Sequence, residues 1–168
     1  MREIPDAFRP VESSDKAFMR EAIALARRGV EAGTGGPFGA LIVQGGRIVG
    51  RGWNRVIADR DPTAHAEVMA IRDACGYLGD FRLGGCVLYS SSEPCPMCQS
   101  AARWARLDRV VYAATIRDAA DMGFDDGRIL DALAGREGGL DLPASQLLRE
   151  EALEVFRLWQ CSPLRVDY

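Results

Sequence analysis

One histidine, His65, stands among the 168 residues of this chain, two positions before Glu67 in the run Thr63-Ala64-His65-Ala66-Glu67. Further on comes Ser92-Glu93-Pro94-Cys95-Pro96-Met97-Cys98. Each run reads as the opening of a helix, so two helix starts carry the residues best suited to hold a metal. Cys95 and Cys98 are three apart and share one helical face. The positive end of a helix dipole favours thiolate over thiol. Two thiolates and one imidazole are donors that zinc accepts. Three protein donors leave a fourth position for water, as in catalytic rather than structural zinc sites. A histidine-rich metal site is excluded, and a serine–histidine triad would have to use His65.

The charge count points to hydrolysis. Two thiolates formally balance the double charge of zinc, so water needs a nearby base as well as the metal. Glu67 is close enough to His65 in sequence to be near the metal without binding it. It could take a proton from water and pass it to a ring nitrogen or a leaving amine. Other readings stand beside this one. Cys95 and Cys98 could be a redox pair, but that leaves the histidine and glutamate unexplained. A structural zinc could recruit Cys75 or Cys86 as a fourth ligand, although both positions suit packing better. His65 could be an ordinary hydrogen-bonded histidine.

Composition bounds the setting. Hydrophobic residues make up 48% and charged residues 27%, as in one globular domain spanning 1–168. No apolar run approaches the roughly 20 residues of a membrane helix. The first residues, MREIPDAFRPVESSDK, are charged and do not read as an export signal. Five cysteines cannot form a complete disulfide framework within one chain, so a cytoplasmic location is expected. A net charge of -3 argues against a nucleic-acid partner.

Periodicity predicts helices over 14–31 and 64–78, the second capped by Thr63. Strands about 40–44 and 47–53 flank Gly45-Gly46, a pair suited to a tight hairpin. A strand at 86–91, a helix from Pro96 through QSAARWAR and a strand at 108–115 follow. Residues 116–127 read as loop, 128–135 as a short helix, 138–143 as a strand edge and 144–160 as an amphipathic helix. The order implies an α/β fold with a mixed sheet and helices on both faces. Ligands in such sheets bind at the carboxyl ends of strands.

Residues 35–127 resemble small guanine deaminases of the cytidine-deaminase-like superfamily. The matching pieces are GGPFGALIV, Asn54, DPTAHAEVMAIRDAC, EPCPMC, YAAT and GFDDG. Histidine, then glutamate, then P-C-x-x-C is the pattern of zinc nucleobase deaminases. The resemblance implies a three-layer α/β/α fold with a central mixed sheet of about five strands. It implies zinc on His65, Cys95 and Cys98 with a water as fourth ligand, and hydrolysis of guanine to xanthine and ammonia. Glu67 and Asp126 would move protons. Phe38 would stack on the substrate, Asn54 and Asp126 would read its edges, and the Ala66 N–H would bind its carbonyl. Tyr168 would close the pocket.

Each of these residues has a plainer reading. Phe38 could be core, Asn54 a turn residue, and Asp125 or Asp126 a helix cap. The family also implies a homodimer, with a C-terminal segment, about 144–168, that can swap between subunits. Guanosine, a pterin or an aminotriazine are alternative substrates. tRNA adenosine deaminases resemble the middle of the chain too. GFDD and the non-basic REEALEVFRLWQ helix disfavour that assignment.

Overall fold

The computed structural model describes residues 15–140 and 142–166. Its elements run α1 (Asp15–Glu31), β1 (Gly39–Gln44), β2 (Arg47–Trp53), α2 (Val56–Asp59), α3 (Ala66–Leu78), β3 (Cys86–Ser92) and α4 (Pro96–Trp104). Then come β4 (Arg109–Ala114), α5 (Ile116–Asp121), α6 (Asp126–Leu133) and α7 (Arg149–Cys161). No helix among the described residues is long and apolar enough to cross a membrane.

Gly45 and Gly46 take φ of 56° and 78°, and Gln44 pairs with Arg47, so β1 and β2 form a two-residue hairpin. Such a turn needs positive φ at both central residues, which glycine adopts without strain. β1 also pairs antiparallel with β3, and β3 pairs parallel with β4. The sheet order is β2-β1-β3-β4. A parallel pair requires a crossover, and α4 provides it.

Alternation along the strands divides the core in two. Leu41 and Val43 join Ile48 and Tyr89 beneath Phe18, Ala22 and Leu25 of α1. Ala40, Ile42 and Leu88 meet Ala66, Ala70 and Ala74 of α3, together with Ala102 of α4. Helices therefore cover both faces, giving the expected three layers. The buried face of α1 differs from the one that large apolar residues suggest. Ala22, Ala26 and Gly29 are buried, whereas Ile23 and Val30 are exposed. Small residues win because the helix lies close to the sheet.

Closeness is greatest where α3 meets β2. A Cβ on Gly52 would stand 2.1 Å from the Ala66 carbonyl oxygen, and one on Gly50 2.4 Å from that of Ala70. The two glycines let the α3 backbone rest directly on the strand.

Several elements depart from the sequence expectation. Among the described residues the sheet has four strands rather than about five. Of the expected strand edge over 138–143, residues 138–140 fold back instead, and Leu140 N–H donates to Arg128 O of α6 at 3.1 Å. Gly139 lies so close to Ala132 that a Cβ there would sit 2.4 Å from its nitrogen. The segment is thus committed to α6 and cannot extend the sheet. α7 begins at Arg149 rather than 144 because Leu148 adopts a left-handed φ of 54°. It buries none of its residues. Thr63 does not cap α3. Its hydroxyl and N–H both go to Asp61 Oδ1, at 2.7 and 2.8 Å, and His65 becomes the N-cap. α2 and α5 fall in stretches that read as loop.

Gly52→Ala should lower the unfolding free energy by about 1–3 kcal/mol, the usual cost of overpacking. Chemical denaturation measures this. An unchanged midpoint would mean that α3 does not rest on β2 as described.

Candidate active site

At one end of the sheet β2, β3 and β4 finish and β1 begins, as the pairings of Gly39 with Trp53 and of Ser92 with Ala114 require. Phe38, Asn54, Glu93 and Thr115 all emerge there. The site lies at the carboxyl ends of three strands, where the sequence order placed it.

His65 caps α3 with extended backbone, φ -70° and ψ 154°, and Cys95 caps α4 with φ -61° and ψ 168°. Pro96 follows at the first helical position, where its missing N–H costs nothing. The His65 side chain makes no bond to its own helix. The two side chains converge instead. His65 Nδ1 stands 3.6 Å from Cys95 Sγ and 3.6 Å from Cys98 Sγ. All three donor atoms lie within 4.8 Å of one another. Zinc–sulfur bonds of about 2.3 Å and a zinc–nitrogen bond of about 2.0–2.1 Å, at tetrahedral angles, separate nitrogen and sulfur by about 3.6 Å. The donor set therefore fits zinc, with Nδ1 as the imidazole donor. Cys75 and Cys86 stay out of it. Cys86 is buried in the α3-side core with Cys75 packed against that cluster, and burial pushes both thiols up.

The protonation of the donors fits the same conclusion. A hydrogen bond from Cys98, aided by His65, holds the Cys95 thiol at about 4. The bond to Cys95, together with burial, pushes Cys98 far up. The Cys95 partner likewise raises His65. Cys95 is thus favoured as thiolate, while the hydrogen bond with Cys95 and burial favour the thiol at Cys98. A divalent cation supplies the positive charge that lets both ionise.

Glu67 sits in the first turn of α3 and is 5% exposed. Its Oε1 accepts from Ser90 Oγ at 3.1 Å and its Oε2 from Cys98 Sγ at 3.4 Å. Burial pushes this carboxyl up.

A cavity of about 270 Å³ opens beside these groups, lined in part by Phe38, Asn54, Glu67, Phe124 and Asp126. Asn54 is 5% exposed, and its Oδ1 accepts from the Gly36 and Val56 N–H groups at 3.1 and 3.2 Å. The oxygen is thus engaged by backbone, and the amide NH₂ is what remains for a ligand. Asn54 is both turn residue and cavity residue. Phe38 also fills two roles. It packs on the α3-side core and lines the cavity, meeting Phe124 edge-on with ring centroids 4.8 Å apart.

Asp126 lines the cavity, and burial raises its carboxyl. Asp125 takes the N-cap position of α6 but gives its carboxylate to Arg128 at 3.1 Å. The Ala66 side chain is buried in the core, and its N–H heads α3, where the first donors have no partner within the helix. Tyr168 lies outside the described residues. Sequence reasoning assigned no role to Phe124 or Glu93, which also line the cavity. The signal for Phe124 was an aromatic residue between glycine and two aspartates.

A profile of the cytidine and deoxycytidylate deaminase zinc-binding region matches residues 12–114. The chain belongs to this family of zinc-dependent deaminases. Guanine deaminase of Bacillus subtilis (strain 168) is 48% identical over 153 residues, which covers 91% of this chain and 98% of that protein. An X-ray structure of the Bacillus subtilis enzyme superposes with a TM-score of 0.83 at 46% identity, covering 90% of this chain and 96% of that one. A structure of guanine deaminase from Nitrosomonas europaea gives a TM-score of 0.67 at 29% identity, with 92% of each chain covered. The tRNA-specific adenosine deaminase of Aquifex aeolicus is 42% identical, but over only 58% of this chain and 64% of that protein.

Cys95→Ala and Cys98→Ala should each drop bound zinc from one per chain to a small fraction. Elemental analysis of purified protein measures it. Full occupancy in either variant would remove that thiol from the donor set.

Proposed function

We propose that this chain hydrolyses guanine to xanthine and ammonia. The observation that carries the reading is the pairing, in one cavity, of a donor-only Asn54 with the Asp126 carboxylate, beside the metal donors. Guanine needs both kinds of partner, because it presents acceptors on its carbonyl and ring nitrogens and a donor in its exocyclic amine. The cavity lies just below the roughly 300–1,000 Å³ typical of small-molecule sites, which suits one heterocycle better than a nucleoside. The near full-length similarity to two guanine deaminases supports the same substrate.

Zinc on His65, Cys95 and Cys98 supplies the Lewis acidity that makes water nucleophilic near neutral pH. Glu67 takes a proton from the attacking water and delivers it to a ring nitrogen. Asp126 reads the amine side and passes the second water proton from the adduct hydroxyl to the amine, which leaves as ammonia. The water oxygen becomes the new carbonyl, so water and guanine balance xanthine and ammonia. Phe38 stacks on the ring, Asn54 donates to an acceptor at its edge, and the Ala66 N–H binds the substrate carbonyl.

The protein acts as a homodimer whose 144–168 segments exchange between subunits. Support comes from α7, where Phe156, Leu158 and Trp159 are all exposed. The cytoplasm suits thiol donors that must stay reduced.

Purified zinc-loaded protein should release ammonia from guanine faster than from guanosine, pterins or aminotriazines. Turnover of another member of that panel in preference to guanine would replace the substrate. Tight, salt-sensitive tRNA binding would favour an RNA substrate. Glu67→Gln should keep its zinc and lose about 10²–10⁴-fold in kcat, the range for proton-transfer catalysts. Undiminished turnover would remove Glu67 from proton transfer. Sedimentation equilibrium should give twice the chain mass, and a single-chain mass would remove the exchanged dimer.

A further inference from the structure

Glu93 is neither a metal donor nor one of the groups assigned to substrate, yet it touches both halves of the site. It lies between β3 and α4, two residues before Cys95. Its backbone N–H donates to Ala114 O at 2.8 Å, just beyond the pairing of Ser92 with Ala114. Its Oε2 accepts the N–H of Ile116, the first residue of α5, at 3.0 Å. The Glu93 side chain lines the same cavity as Phe124 and Asp126.

The rest of the α5 cap is internal. Thr115 Oγ1 accepts from Asp118 N–H at 3.2 Å, and the Asp118 carboxylate accepts from Thr115 N–H at 2.7 Å. Glu93 is the bond that ties this helix start to the metal-binding turn. The tie matters because packing holds the region only thinly. α5 buries Ala119 alone, and α6 buries none of its residues. α5 and α6 nonetheless flank Phe124 and carry Asp126. Among the described residues the Phe38–Phe124 ring contact and the Glu93–Ile116 bond tie this arm to the site, beside the packing of α6 on α4.

We propose that Glu93 is a positioning residue. It holds the α5–α6 arm, and with it Phe124 and Asp126, in register with the metal site, and so governs substrate affinity rather than metal content. The proposal rests on the role given to Asp126 above.

Glu93→Ala and Glu93→Gln test it, because the glutamine carbonyl can still accept from Ile116. Both variants should keep one zinc per chain. The alanine variant should raise KM for guanine by about tenfold, as for losing a hydrogen bond to a charged group, with a smaller change in kcat. The glutamine variant should stay close to the parent. Amide hydrogen exchange over 116–126 should quicken in the alanine variant and not in the glutamine one. Unchanged KM and exchange in Glu93→Ala would overturn the proposal. So would equal damage in both variants, which would assign the effect to the charge itself, or zinc loss, which would assign it to the metal turn. If the parent does not turn over guanine, the substrate reading fails, and the exchange comparison still decides whether Glu93 holds the arm.

Discussion

His65 and Cys95 occupy positions that most helices give to a capping side chain. Serine, threonine, aspartate or asparagine there is worth about 0.5–2 kcal/mol over alanine. Here His65 leaves its own helix unbonded, and its ring meets the Cys95 sulfur across 3.6 Å. The start of α3 is thereby left less stable so that three metal donors can converge. Zinc binding energy becomes folding energy in such an arrangement, because the unfolded chain has no preformed site. The meeting point exists only because Gly50 and Gly52 let α3 lie against β2 while α4 leaves the end of β3. The metal site is therefore a property of the sheet packing, not of a loop.

The groups around the cavity are held by structural bonds of their own. Asn54 spends its oxygen on the Gly36 and Val56 backbone, which fixes the direction of its NH₂. Ser90, fully buried on β3, binds one oxygen of Glu67 and leaves the other facing Cys98. Orientation set by the scaffold in this way needs no rearrangement when a substrate arrives, and preorganised polar groups are the most effective kind in catalysis. Burial raises the carboxyls of both Glu67 and Asp126.

Much of this was legible in the chain before its structure. The Gly45-Gly46 turn, the alternation in β1 and β3 and the residue types of the metal site each carry a local signal. Other features depend on competition or distance. Thr63 looks like a cap, but Asp61 is nearer and takes its hydroxyl, so the helix starts two residues later. α5 carries a readable box in Thr115 and Asp118, yet six residues are too few for a helical period to emerge. Leu140 and Leu142 suggest a strand, but the stretch through Leu140 is held on α6. Phe124 and Glu93 acquire meaning only through partners distant in sequence, Phe38 and Ile116.

The exposed C-terminal helix has a consequence for how the protein can be observed. A helix of 13 residues is marginal by itself in water, and among the described residues α7 has none that is buried. Its order must report on whatever lies against it. Trp159, 42% exposed on that helix, is therefore a built-in optical probe. Its emission reads the surroundings of the C-terminal segment once Trp53, which packs on the α1-side core, and the exposed Trp104 are replaced.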